Sequence, residues 1–382
     1  MSAFQEYFDE SHQLVRDSVR RFVEREILPY IAEWEEAEEF PRELYRKAGA
    51  AGILGIGFPE RYGGSYEGDL FAKVAASEEL MRSGSGGLVA GLGSLDIGLP
   101  PVVKWAKPAL RDRIVPEVLA GEKVIALAVT EPSGGSDVAS LKTRAVRDGD
   151  YYRVTGSKTF ITSGVRADYY TVAVRTGGEG FGGVSLLLIE KDTPGFTVSR
   201  KLKKMGWRCS DTAELFFDDC KVPVENLIGV ENAGFACIMA NFQSERLALA
   251  LMANMTSQMA LEEARAWARQ REAFGKPIGK FQVLKHRLAE MATQLEVSRE
   301  FTYRQAAKMA AGKSVIKEIS MAKNFATDVA DRITYDAVQI LGGMGYMRES
   351  LVERLYRDNR ILSIGGGTRE VMNEIIAKQM GL

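Results

Sequence analysis

The chain has 382 residues, too many for one hydrophobic core and suited to two or three domains. Its 50 Lys and Arg nearly cancel its 51 Asp and Glu, leaving a net charge of −1, so nothing in the balance calls for nucleic acid or an anionic membrane. Two distant histidines, His12 and His286, speak against a His-based metal site and a Ser-His-Asp hydrolase.

The opening stretch MSAFQEYFDESHQLVRDS carries acids and no apolar run, and reads as neither a secretory nor a transit signal. Cys209, Cys220 and Cys237 lack a paired metal spacing, so the expectation is a reduced, cytoplasmic chain. From about residue 11 to 120 the periodicity is helical, with Val15, Val19, Phe22, Val23 and Ile27 on one stripe and Ser11 placed to cap it. The acidic run Glu33, Glu35, Glu36, Glu38 and Glu39 reads as a solvated face. From 124 to 222 the texture turns to short β-rich runs: 124–129, 151–155, 158–162, 169–174, 184–190, 196–199 and 214–217. Such runs without intervening helices predict a compact barrel or sandwich and not a parallel βαβ sheet. From 232 onward the chain is helical again. Leu284, Leu288, Met291 and Leu295 form one stripe there, and Ile319, Ala322, Ala326, Val329, Ile333, Ala337 and Ile340 form another, favouring a helix bundle. The fold class is therefore α+β and multidomain, with expected divisions at 1–122, 123–230 and 231–382.

Several segments admit both a chemical and a plain reading. The loop Thr130–Asp137 follows a strand, and its adjacent Gly134 and Gly135 allow a close backbone approach to a ligand or simply form a polar turn. It lacks the lysine of a P-loop and the context of a Rossmann turn. The run 271–278 offers Arg271 for a pyrophosphate and Phe274 for a flat ring, or is an ordinary helix end with a glycine stop. Three glycines within 342–345 exceed what ending a helix requires. Gly365, Gly366 and Gly367 open the last helix either as an anion-accepting N-terminus or as a turn capped by Thr368. Glu245 with Arg246 is an acid in an apolar helix, either a functional group or an ion pair at the helix edge. The basic stretch Arg200, Lys201, Lys203, Lys204 and Arg208 reads as a solvated loop.

Taken together, PERYGG (59–64), TEPSGGSD (130–137), GSKTFITSG (156–164), KKMGWRCSDTAELFF (203–217), VPVENLIG (222–229), RQREAFGKPIGKFQ (269–282), DAVQILGGMGYM (336–347) and GGGTREV (365–371) resemble the acyl-CoA dehydrogenase family over nearly the whole chain. The resemblance implies an N-terminal helical domain, a middle β domain, a C-terminal four-helix bundle, and FAD as cofactor. By motif match, Leu127, Val129, Thr130, Gly135 and Ser136 line the flavin and its ribityl chain. Phe160, Ile161 and Thr162 cover the other side of the ring, with Phe160 standing where many relatives have tryptophan. Arg271, Phe274, Gln282, Gln339, Gly342 and Gly343 match positions that reach the FAD of a neighbouring subunit, which implies a homodimer or homotetramer. Thr368 and Glu370 match residues near the diphosphate and adenosine. Ser136, Ser244, Arg246, Gly365 and Gly366 are expected at the acyl-CoA substrate.

The chain departs from many members of that family at Gly366, where they carry the catalytic glutamate in a Tyr-Glu-Gly-Thr sequence. A smaller group resembling isovaleryl-CoA and long-chain dehydrogenases carries the base on a bundle helix, in a Glu-Arg pair that Glu245-Arg246 matches. The implied reaction is α-proton abstraction by Glu245 with a β-hydride passing to flavin N5, giving the trans-2-enoyl-CoA, with an electron-transferring flavoprotein as acceptor. A glutamate starts from a pKa of about 4.3 and needs a dry pocket to become a useful base. Arg246, about 100° away around the helix, is expected to serve the ligand without neutralising it. Gly365 in place of the family's tyrosine leaves room for a 3-methyl branch, so the expected substrate is β-branched or medium-to-long, citronellyl-CoA-like or isovaleryl-CoA-like. An acyl-CoA oxidase and a non-catalytic acyl-CoA-binding flavoprotein are the alternatives.

Overall fold

A computed structural model of the chain describes residues 4–382. The first helix, α1 (Glu10–Phe22), is capped by Asp9 and not by Ser11. Asp9 accepts from the His12 amide at 3.1 Å while His12 Nδ1 accepts from the Asp9 amide at 3.0 Å, a reciprocal cap that starts the helix before its apolar stripe begins. The stripe is buried throughout, and its last turn, Val23–Ile27, is π-helical, so the adjacent Phe22 and Val23 both stay on the core face. Helices α2 (Ile31–Ala37), α3 (Glu43–Ala50), α4 (Leu70–Met81), α5 (Gly86–Leu92), α6 (Leu95–Gly98), α7 (Pro100–Trp105) and α8 (Pro108–Leu119) complete this zone. Among the described residues no single helix is long and apolar enough to cross a membrane.

One mixed sheet follows, built from β1 (Ile125–Ala128), β2 (Arg144–Asp148), β3 (Tyr151–Thr162), β4 (Tyr169–Arg175), β5 (Val184–Glu190), β6 (Phe196–Val198), β7 (Thr212–Pro223) and β8 (Leu227–Ile228). Its order is β6-β7-β3-β2-β4-β5-β8, with β1 added parallel to β4. The apolar runs 151–155 and 158–162 are one strand, β3, and not two. Its pairing to β7 slips between Val154 and Gly156 and again between Lys158 and Ile161. These irregularities break the alternation that separated the runs in the sequence. Strands β4 and β5 are buried on both faces because helices cover one side and the rest of the sheet the other, whereas β3 and β7 alternate. Strand β2, exposed on four of its five residues and polar on three, gave too little apolar signal and was not expected.

The C-terminal zone comprises α9 (Gly234–Gln270), a small hairpin of β9 (Glu272–Ala273) and β10 (Lys276–Pro277), then α10 (Gln282–Ala310), α11 (Ile316–Leu341), α12 (Leu351–Asn359) and α13 (Arg369–Gln379). The expected stripe on α11 is buried along its full length. That on α10 is buried only at Met291 and Leu295, while Leu284 and Leu288 are half-buried, since the first turns of α10 stand at the edge of the bundle.

The acidic run is not a uniformly solvated face. Glu35 is buried, accepting from Arg357 Nη2 at 2.9 Å and from Ser85 Oγ at 2.6 Å. The neighbouring Asp358 accepts from the amides of Gly86 and Trp207 at 3.1 and 2.6 Å. Lys204 also leaves the expected solvated loop, donating to Ser210 and Thr212. The Glu35–Arg357–Asp358 cluster fastens α12 to the first helical zone and to the 203–211 loop, and so sets the bundle against the sheet. Arg357→Met leaves two buried carboxylates without their cation, and is expected to lower the unfolding free energy by about 3–5 kcal/mol in denaturant titrations. Arg348→Met, which breaks the exposed pair with Glu36, is expected to cost less than about 1 kcal/mol.

Candidate active site

The first half of α9 is tied to the sheet through α6. Asn241 donates to the Ile97 carbonyl at 2.9 Å, and Thr171 on β4 donates to the Gly98 carbonyl at 2.8 Å. Gly98 lies so close to β1 that a Cβ there would meet the Ala126 carbonyl carbon at 3.1 Å. One turn beyond Asn241, Glu245 faces the glycine turn 365–367. Its Oε2 is enclosed and has no hydrogen-bond partner among the described residues, although the residue as a whole keeps some exposure. A Cβ on Gly366 would come within 3.5 Å of Glu245 Oε1 and 2.6 Å of Leu249 Cδ1, and Gly366 has a φ of +64°. A side chain at position 366 would therefore point into the space that the Glu245 carboxylate fills, in a backbone conformation that favours glycine.

Burial pushes Glu245 up to about 6, against the opposing charges of Arg246 and Lys323. Arg246 is itself buried and donates through Nε to the Gly366 carbonyl at 3.3 Å. The charge of Arg246 draws the Glu245 carboxylate down without neutralising it. Desolvation is the larger effect, so the proton affinity of the carboxylate stays above that of an ordinary glutamate. Lys323 had no place in the sequence reading. It is wholly buried, its Nζ donates to the Gly367 carbonyl at 2.5 Å, and burial lowers it to about 8. A lysine within the apolar α11 stripe was the available signal, masked by the clean periodicity around it.

In the sheet, Glu131 and Lys158 form a second buried pair at 2.8 Å. Glu131 also accepts from the amides of Lys142 and Thr143 at 2.6 and 2.8 Å, and Lys158 donates to the Val129 carbonyl at 3.0 Å. The pair anchors both ends of the loop between β1 and β2. Thr130 is half-buried, and Gly134, Gly135 and Ser136 are exposed at its crest. Gly134 has nothing within 4 Å of where a Cβ would stand. Leu127 is half-buried, while Val129 and Ile161 turn inward; Thr162 is half-buried. Phe160 is 69% exposed with a φ of +58°, held outward at the second irregularity of β3. A rigidly anchored open loop beside an outward aromatic suits a flat, anionic cofactor, so these residues fit FAD. Of the segment 160–162, Phe160 and Thr162 would offer side chains and Ile161 only its backbone.

The third group lies elsewhere. Arg271, Gln282, Gln339, Gly342 and Gly343 are exposed, and Phe274, at the tip of the β9–β10 hairpin with a φ of +53°, is 94% exposed. Arg271 stands at the far end of α9, about 39 Å along the helix from Glu245 at 1.5 Å per residue. Thr368 caps α13, accepting from the Val371 amide at 3.4 Å, and Glu370 is exposed in its first turn. Ser244 is exposed and donates back to the Asn241 carbonyl at 3.0 Å. Gly365 is half-buried, and among the described residues a Cβ there would meet only the Ile361 carbonyl oxygen, at 3.6 Å.

Comparisons with known proteins match nearly the whole chain. Residues 9–122 match the acyl-CoA dehydrogenase N-terminal domain, 126–220 the middle domain and 232–381 the C-terminal domain. The chain is 39% identical to the mitochondrial long-chain specific acyl-CoA dehydrogenase of Sus scrofa, covering 98% of this chain and 87% of that one. It is 36% identical to the mitochondrial isovaleryl-CoA dehydrogenase of Oryza sativa subsp. japonica, covering 98% and 92%. The crystal structure of acyl-CoA dehydrogenase from Geobacillus kaustophilus superposes with a TM-score of 0.96 at 41% identity, covering 98% and 99%. The chain belongs to the acyl-CoA dehydrogenase family and is an FAD-dependent oxidoreductase.

Proposed function

We propose that Glu245 takes the α-proton of an acyl-CoA thioester, so that loss of a β-hydride completes the conversion to the trans-2-enoyl-CoA. The observation that carries this reading is the coincidence of Glu245 with the space above Gly366. The chain lacks an acid at the position many relatives use, and the one enclosed, unpartnered carboxylate among the described residues stands beside that same space. FAD, when bound, supplies the hydride acceptor. Glu245 combines a dry surrounding with a free Oε2, the two properties a carboxylate needs to become a base near neutrality. The Gly366 and Gly367 amides donate to no acceptor among the described residues, which leaves them free to polarise a thioester carbonyl.

Thr130, Ser136 and the glycines beside them would hold the flavin, with Phe160 against its ring. The Arg271, Phe274, Gln282, Gln339 and Gly342–Gly343 group is exposed and remote from Glu245 along α9, which supports its completing the cofactor site of a second copy in a homodimer or homotetramer. An electron-transferring flavoprotein is the proposed acceptor. The open space at Gly365 supports a β-branched or medium-to-long acyl chain, of citronellyl-CoA or isovaleryl-CoA type.

Glu245→Gln is expected to abolish flavin bleaching on anaerobic addition of acyl-CoA, and bleaching at the wild-type rate would remove Glu245 from the base role. Because the base must be ionised, kcat/KM is expected to fall about tenfold per pH unit below about 6. The same group gives a stability prediction of opposite sense. A carboxylate raised from 4.5 to about 6 favours the folded state while protonated and loses that contribution as pH rises through about 6. Glu245→Gln is therefore expected to raise the unfolding free energy by about 2 kcal/mol at pH 8 and by little at pH 4, read by denaturant titration. In a panel of acyl-CoAs, 3-methyl chains are expected to turn over at least as fast as straight chains of equal length; a large preference for straight chains would reject the branched assignment.

A further inference from the structure

Two buried cations from two bundle helices hold consecutive carbonyls of the glycine turn. Arg246 on α9 reaches Gly366 and Lys323 on α11 reaches Gly367. Lys323 is 0% exposed, with the apolar Ile319, Ala322 and Ala326 as its neighbours along the helix. A buried ammonium is costly unless it is paired and hydrogen-bonded, and the single Gly367 carbonyl satisfies one of its three donors. The compensating charge is Glu245, which acts electrostatically on Lys323 and is acted on in return. If the position served packing alone, methionine would fill it without that cost.

We propose that Lys323 is a positioning residue for the reaction, fixing the glycine turn over Glu245 and supplying, with Arg246, the positive charge that keeps this enclosed carboxylate ionised. The proposal rests on Glu245 being the base and adds a second helix to its control. Every element packed against the carboxylate supports it. Helix α9 contributes Arg246, and α11 contributes Lys323. The turn contributes glycines and two engaged carbonyls, and α13 presents Met372, whose Cε would lie 2.8 Å from a Cβ on Gly367. Two further acids on α11 are engaged elsewhere. Asp328 pairs with Arg369, and Asp331 accepts from Asn359. Before proton transfer the cluster holds one anion and two cations; afterwards it holds two cations and a neutral acid. Lys323 thus favours the form of Glu245 able to accept a proton and the release of that proton after turnover.

The test compares wild-type holoenzyme with Lys323→Met and Lys323→Arg. In Lys323→Met the acid limb of kcat/KM is expected to move up by about one pH unit, lowering kcat/KM roughly tenfold on that limb and changing it little above pH 8. Lys323→Arg keeps the charge and is expected to keep the wild-type limb, whatever its effect on kcat. An infrared titration of the resting holoenzyme, with Glu245→Gln as the subtraction that identifies the band, is expected to show the same upward move of the Glu245 carboxyl in Lys323→Met. That readout does not depend on turnover, so it separates the two ideas. If Glu245→Gln still bleaches the flavin, the assignment of the base fails. If Glu245 is the base but its titration and the acid limb stay at the wild-type position in Lys323→Met, the proposal for Lys323 is overturned, and a uniform loss of activity across pH would mark the lysine as structural. Should Lys323→Met fail to fold, Lys323→Gln, which can still donate to Gly367, gives the same comparison.

Discussion

Everything at the site turns on one carboxylate kept from water and only partly compensated. Desolvation raises the proton affinity of Glu245, while Arg246 and Lys323 lower it, and the balance leaves the group near neutrality. Neither influence would serve alone. Full desolvation without cations would leave the acid protonated, and a close ion pair in water would leave it an ordinary weak base. The glycine turn makes the arrangement possible, because its carbonyls engage both cations and its missing side chains leave room for the carboxylate.

That balance requires rigid surroundings. The carboxylate stands on α9, whose first turns are pinned through Asn241 and α6 to β1 and β4. The loop that suits the cofactor leaves that same β1, anchored by the buried Glu131–Lys158 pair. A second buried cluster, Glu35 with Arg357 and Asp358, locks α12 to the first helical zone and the 203–211 loop. These ionic groups add less to stability than to geometry, since a buried pair roughly offsets its own desolvation. Their effect is to fix the distance between the Glu245 carboxylate and the loop that suits the cofactor, which come from different parts of the chain.

The buried ions were also where sequence reading met its limit. Glu35 was one acid among five in a polar run, and nothing local distinguished the one that turns inward. Lys158 sat inside an apolar strand run, and Lys323 beside a helical stripe, where a long side chain is more often directed to solvent. The capping of α1 was displaced by two residues because hydroxyl and carboxylate caps give the same signal. The division of β3 into two runs followed from irregularities that interrupt alternation without ending the strand.

The sequence by itself determined the succession of helical, β and helical zones, the buried stripes of α1 and α11, and the missing acid at position 366 with its counterpart at Glu245. The zones and stripes are properties of periodicity, and the reading of Gly366 and Glu245 comes from the resemblance to a family; none of them needs knowledge of neighbours in space. Only the tertiary structure decided that Gly366 and Glu245 meet at one space, 121 residues apart in numbering, and how far Arg246 offsets the desolvation of the carboxylate. It alone brought Lys323 to the turn. The reason is physical: a proton affinity depends on burial and on the charges that surround a group, and both are set by which helices meet.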